Sequence, residues 1–414
     1  MRRARPGGGI RSLFAVVATA WTAIFLHSCS APRAALDPAA LGQIHAAPRI
    51  QVGLSRFMRV DSAAVVFREP FAVVGRAGFL QKEEGGSEAI ALKWEEGLRV
   101  GNRVHAETSL RITSGTDGGF EINGVRYRGD LIVLRDDDRE TRAPRITLVN
   151  DLDLEDYLRG VVGKEMSLSR GEEALKAQVI AARTYALYEA KMKTLATVKG
   201  EKFDVYDDER SQVYGGREKE TSLAVRLVDE TRGLFVVFAG RIVKTFFSST
   251  CGGHTEPAVL VLGEGEDIPP LRGTACGFCT ESKYYAWKAE FSRADLAKKL
   301  WGPTSPAKVK SVRVTKTLPG GHAQEVGVLV EKGVKEHLLE ANGGFRRRID
   351  PRLIRSTLWD SVETVGEKIV ITGRGWGHGA GLCQYGAYKM AELGRSATEI
   401  LEHYFPEARV QKLY

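Results

Sequence analysis

The sequence predicts a mixed α+β protein with a β-rich N-terminal part, a core of helices and strands, and an inserted subdomain. Three observations carry this reading. Residues 49–149 run in short alternating stretches broken by glycine and aspartate, among them RIQVGL, AVVFR, FAVVG, SLRITSG, LIVLRDDD and RITLVN, and period-two alternation is the pattern of half-buried strands. Residues 172–190, EEALKAQVIAARTYALYEA, instead repeat apolar side chains at helical spacing. The region around 256–345 is rich in glycine, proline and mixed charge and reads as a subdomain inserted into that core.

In chain order, Arg2, Arg3, Arg5 and Arg11 precede a 13-residue apolar stretch, LFAVVATAWTAIF. About 20 residues are needed to span a bilayer as a helix, so a cleaved secretory signal over 1–28 is expected rather than a permanent span. The stretch ends in LHSC, which is similar to a bacterial lipoprotein box. Cys29 would then carry the lipid anchor, and Ser30 after it suits an exported, periplasm-facing outer-membrane location. Residues 29–48, small and rich in Pro and Ala, read as a tether. The chain carries a formal charge of +8, but four of the positive charges lie in the signal. The mildly basic remainder suits a polyanionic wall surface and argues against nucleic acid, because no arginine-rich stripe with interleaved aromatics is present.

After the β-rich region 49–149 comes the core's first part, 150–255. Leu154, Tyr157, Leu158, Val161 and Val162 have helical spacing and predict a short helix over 153–163 that ends at Gly163. In the long helix Leu175, Val179, Ala182, Ala186 and Ala190 form one stripe. Ser169 and Glu172 supply a capping box. Lys176 and Arg183 are seven residues apart and project to one side, about 10 Å apart. They are either snorkelling side chains or donors aimed into a cleft near Glu165. An inserted subdomain, 256–369, and the core's C-terminal part, 370–414, complete the chain.

Cysteine spacing points to a metal. Cys251 and His254 form a C-x-x-H pair and Cys276 and Cys279 a C-x-x-C pair, a ligand set that closes a tetrahedral zinc shell with no open position. The expected role is structural. A disulfide is the alternative, permitted in an exported compartment. His378 and Cys383 in GWGHGAGLCQYG invite a thiol-nucleophile reading, but five glycines over 373–381 fit a loop that lets a ligand approach the backbone. Trp376 and Tyr385 are available there to stack on a sugar. Glu165, in GVVGKEM, is a carboxylic acid with apolar neighbours Val161, Val162 and Met166, a setting that can raise a pKa for proton transfer. Lys164 is expected to point away from it.

Taken together, EDYLRGVVGKEM, EALKAQVIAARTYAL, SQVYGG, FFSSTCGGHTE and GRGWGHGAGLCQYGA, followed by MAELG and ILEHYFP, resemble the SpoIID/LytB family. The ordered match covers about 150–255 and 370–407. The resemblance implies a lytic transglycosylase acting on peptide-denuded peptidoglycan strands, with Glu165 as catalytic acid and base. It maps substrate contacts onto Lys176, Gln178 and Arg183. Tyr214, Trp376, His378, Gln384 and Tyr385 in the same motifs complete the candidate binding set. The glycine-rich loop departs from the family at Cys383, where serine is usual. LytB-type relatives are described as enhancers of a separate wall amidase, so a non-catalytic glycan binder with an amidase partner is the alternative.

Overall fold

The computed structural model describes residues 47–115, 118–195, 202–331 and 336–414. The expected signal segment, most of the expected tether and Cys29 lie outside the described residues. No helix among the described residues is long and apolar enough to cross a membrane.

The alternating stretches build a seven-stranded sheet, in the spatial order Val205–Tyr206, Arg49–Gly53, Ile146–Asp153, Asp130–Arg135, Ser109–Ser114, Phe71–Gly75 and Gly78–Glu83. Neighbours are antiparallel except the first pair. A four-stranded sheet, Ser62–Val65, Ile90–Trp94, Leu98–Val100 and Arg103–His105, is interleaved with it in sequence. Ile146–Asp153 is an inner strand, and seven of its eight residues are buried. It leads straight into α1 (Leu154–Glu165).

Asp153 starts α1 by accepting a hydrogen bond from the Glu155 N–H at 2.8 Å, and Glu155 and Asp156 in the first turn favour the positive helix end. Leu154, Tyr157, Leu158, Val161 and Val162 are buried, as their spacing predicts. The helix does not stop at Gly163. It continues through Glu165, and Met166 turns extended at φ −135° and ψ 149°. Gly163 serves close packing instead, since a Cβ there would come within 3.3 Å of the Lys219 carbonyl. Glu165 is thereby the last residue of a rigid helix.

The helix α2 (Glu172–Leu195) runs five residues past the expected end. The Ser169–Glu172 capping box does not form: Ser169 Oγ bonds Ser167 Oγ at 2.9 Å, and Glu172 pairs with Arg226 at 2.6 Å. Every residue from Ala177 to Tyr188 is buried, so α2 is enclosed on all sides rather than amphipathic. The remaining helices are α3 (Ser222–Glu230), α4 (Ala258–Leu262), α5 (Arg293–Trp301), the single turn α6 (Arg347–Ile349), α7 (Gln384–Glu392) and α8 (Ala397–Tyr404). Around α2 stand α1, α3, α7, α8 and the strand Leu234–Phe238.

Residues 286–374 hold two three-stranded antiparallel sheets, centred on Lys368–Arg374 and Ala323–Val330. Together with α5 they enclose a core of their own that includes Trp287, Phe291, Leu296, Val326, Phe345 and Ile371. The strand Lys368–Arg374 leads directly into the glycine-rich loop and α7, which returns the chain to α2.

Candidate active site

Glu165 opens onto a cleft of about 430 Å³, lined also by Tyr185, Ser248, Ser249, Arg347, Trp376, His378 and Gln384. One carboxylate oxygen accepts a hydrogen bond from the Val213 N–H at 2.7 Å. Burial pushes the carboxyl up to about 7 from an ordinary 4.5, against the Val213 bond, which acts the other way. Lys164 is exposed, and its stem lies along Gly215. The carboxylic acid is therefore held substantially protonated at neutral pH by desolvation, in the way that suits a general acid.

That shift has a stability consequence. The folded-state pKa lies above the unfolded one, so the contribution of Glu165 is fully present below pH 4.5 and is lost as pH rises through about 7. The difference amounts to about 3 kcal/mol at most. Melting temperature followed from pH 4.5 to 8 should fall with a component that Glu165→Gln removes; an unchanged profile in that variant would refute the assignment.

The SQVYGG motif supports the glutamate through its backbone. Gln212 is buried, accepting from Tyr157 Oη at 3.1 Å and donating to the Ala182 carbonyl at 3.3 Å. Tyr214 is buried too and donates to Asn150 at 3.1 Å, so it stands in the core and not in the cleft as the resemblance suggested. Anchored on both sides, the intervening Val213 N–H is aimed at Glu165. Gly160 makes room for this, because a Cβ there would meet the Tyr214 ring at 2.5 Å.

Lys176 and Arg183 do project from one side of α2, but that side faces α3. Arg183 is fully buried and holds Glu155 with two bonds, at 2.9 and 2.7 Å. It also donates to the Val228 carbonyl at 3.2 Å. Lys176 pairs with Glu173 and with Glu230 of α3, at 3.1 and 3.0 Å. Neither residue lines the cleft. The face that does meet it carries Gln178 and Tyr185, also seven residues apart. Tyr185 lines the cleft, while buried Gln178 accepts from Gln384 Nε2 at 3.3 Å. The same Gln384 amide reaches the Glu165 carbonyl at 3.2 Å. Gln384 thus ties α2, α7 and the end of α1 together at the cleft wall.

In the loop after residue 374, Gly375, Gly377, Gly379 and Gly381 all have positive φ. Their freedom serves contact with protein: a Cβ on Gly377 would strike Ser248 at 2.6 Å and one on Gly381 the Phe246 carbonyl at 2.0 Å. Gly377 also lines the cleft, so the loop packs on protein and still presents backbone there. Trp376 lines the cleft, with the Arg355 guanidinium 5.1 Å from its ring. Tyr385 turns away, to a small cavity shared with Arg170 and Tyr388. His378 lines the cleft, but Nε2 pairs with the Phe247 carbonyl at 2.8 Å and Nδ1 accepts from the Ala380 N–H at 3.1 Å. Burial lowers its pKa to about 4. A neutral ring with both nitrogens engaged has no lone pair left to act as a base, which removes the thiol-nucleophile reading.

The cysteines converge differently from their spacing. The sulfurs of Cys251, Cys276, Cys279 and Cys383 all lie within 4.8 Å of one another, and none is in a disulfide. His254 is not among them. Its backbone bridges Ala275, and its imidazole packs so closely on Gly320 that a Cβ there would lie 2.3 Å from Nδ1. The turn made by Gly252 and Gly253, with φ of 82° and 126°, carries the histidine away from the sulfurs.

Sequence reasoning did not single out Ser248, Ser249 or Arg347. The serines follow the phenylalanine pair of FFSST, where the local signal is hydrophobic. Arg347 arrives from the inserted subdomain.

Comparison with known proteins is consistent with this layout. The family profile described as Stage II sporulation protein, SpoIID, matches residues 142–238, which contain Glu165, α2 and SQVYGG. An uncharacterized protein of Brachyspira hyodysenteriae is 36% identical over 291 residues, 70% of this chain and 73% of its own. The Stage II sporulation protein D of Bacillus subtilis is 28% identical over 276 residues, 64% of this chain and 76% of its own. A Bacillus subtilis protein named Amidase enhancer is 28% identical over 290 residues, 60% of this chain and 39% of its own.

Proposed function

Because this chain belongs to the SpoIID family, we propose that it is a peptidoglycan lytic transglycosylase. The reading rests on one observation above the rest: the Glu165 carboxyl, pushed up to about 7 by burial, stands at the wall of an open cleft. Glu165 donates its proton to the glycosidic oxygen between N-acetylmuramic acid and N-acetylglucosamine. The bond from that oxygen to the muramic C1 breaks with oxocarbenium character. The muramic C6 hydroxyl then attacks C1 and returns its proton to the Glu165 carboxylate, which closes a 1,6-anhydro ring. Protons balance within one turnover, and no second carboxylate is needed, unlike the paired-carboxylate hydrolases. The intramolecular attack supplies the nucleophile at high effective concentration. Export, with a lipid anchor on Cys29, would bring the enzyme to its wall substrate.

Arg347 is suited to the substrate contact that the resemblance implies for Lys176 and Arg183. It is exposed on the cleft and has no carboxylate partner among the described residues. Arg210, also at the cleft, is paired with Asp208 at 2.7 Å. A peptide-free muramic acid presents a lactyl carboxylate that a free guanidinium can hold by charge-assisted bonds. Arg347→Gln should raise KM for denuded strands about tenfold with melting temperature unchanged. Equal KM for the two proteins would remove Arg347 from the substrate site.

The test of the reaction is product analysis by mass spectrometry on peptide-free glycan strands. Muropeptide-free fragments ending in 1,6-anhydro-muramic acid support the reading, and reducing ends would overturn it in favour of hydrolysis. Turnover should decline as pH rises through about 7, where Glu165 loses its proton. The similarity to the protein named Amidase enhancer supports a second reading, in which the cleft binds glycan for a separate wall amidase. Tight strand binding with no cleavage product, and stimulation of an added amidase, would favour it.

A further inference from the structure

We propose that Cys251, Cys276, Cys279 and Cys383 bind one zinc ion as a closed tetrathiolate site that clamps the back of the cleft. All four residues are buried, at 0 or 1% exposure, and all four sulfurs lie within 4.8 Å of one another. A tetrahedral zinc with Zn–S near 2.3 Å has sulfur–sulfur edges of about 3.8 Å. The Cys251 and Cys279 sulfurs stand 3.7 Å apart, a spacing that fits an edge of that tetrahedron and is far longer than the bond of a disulfide. Around them are the donors a thiolate shell requires: the Cys251 N–H reaches Cys383 Sγ at 3.3 Å, and Tyr404 Oη lies 3.1 Å from Cys276 Sγ. Such bonds orient the ligands and temper their charge. Four protein sulfurs leave no position for water, so the ion holds structure and does no chemistry on substrate.

Its position gives it consequence. Cys251 follows the segment Phe247–Ser249, whose residues line the cleft. Cys383 immediately precedes Gln384, which reaches the Glu165 carbonyl. Cys276 and Cys279 come from the stretch between α4 and the strand Ala286–Ser292. One ion thereby joins both cleft walls to that stretch.

The experiment uses the full chain purified without chelator. Elemental analysis should find one zinc per chain. Cobalt replacement should produce strong visible bands and the sulfur-to-metal charge transfer of four thiolates. His254→Ala should leave both the zinc content and the cobalt spectrum unchanged. Cys383→Ser should lose the metal or about one quarter of the charge-transfer intensity. Chelation should lower the melting temperature. A chain with no stoichiometric metal, iron in place of zinc, a disulfide among these four cysteines in non-reduced peptide maps, or a cobalt spectrum altered by His254→Ala would each overturn the proposal. Should Cys383→Ser fail to fold, the wild type and His254→Ala still decide the question.

Discussion

Glu165→Gln should lower turnover of peptide-free glycan strands by about 10²–10⁴-fold, the usual share of a positioned general acid, under the proposed reaction, and leave strand affinity within a factor of a few. Glutamine keeps the shape and can still accept the Val213 hydrogen bond, but it has no acidic proton to give. Because burial makes the carboxylate costly to ionise, the variant should also melt no lower than wild type at pH 7 and higher at pH 8. The paired readout separates chemistry from folding. Equal release of anhydro products by the two proteins would end the catalytic assignment, and loss of binding along with turnover would indicate a collapsed cleft.

Arg183→Met costs about 3–5 kcal/mol in chemical denaturation, because removing one partner of a buried ion pair strands the other charge. Glu155 would remain at the helix core with Tyr414 Oη as its remaining side-chain donor. The carbonyl of Val228 would lose its guanidinium donor as well. Glu155→Gln should be costly for the reciprocal reason, and the double change to apolar residues should recover much of the loss, a coupling that a double-mutant cycle measures. Had Arg183 been a substrate ligand, the same substitution would raise KM and leave stability alone. A variant of wild-type stability with impaired binding would therefore overturn the structural role.

Much of the local architecture was legible before the fold. Alternation marked the strands over 49–149 and helical spacing marked α2. These properties depend on neighbours in sequence, and sequence contains them. The spacing predicts that α1 ends at Gly163, whereas the helix runs on through Glu165 and Gly163 is a packing position against the Lys219 carbonyl. That distinction depends on what lies opposite, and a glycine looks the same in either role.

The same limit governs the site. Periodicity determined that Lys176 and Arg183 share a side of α2, and so do Gln178 and Tyr185. Only packing decided that α3 covers the first pair and the cleft meets the second, because an enclosed helix has no solvent face to identify by polarity. Spacing likewise brought Cys276 and Cys279 together, where two intervening residues bring both sulfurs to one point. The fourth sulfur comes from Cys383, 132 residues beyond Cys251, and the turn at Gly252 and Gly253 moves His254 away. Sequence by itself determined the helices and the thiol pair; tertiary structure decided how far Glu165 is buried and which surfaces face one another, since contact between distant segments is set by burial across the whole core.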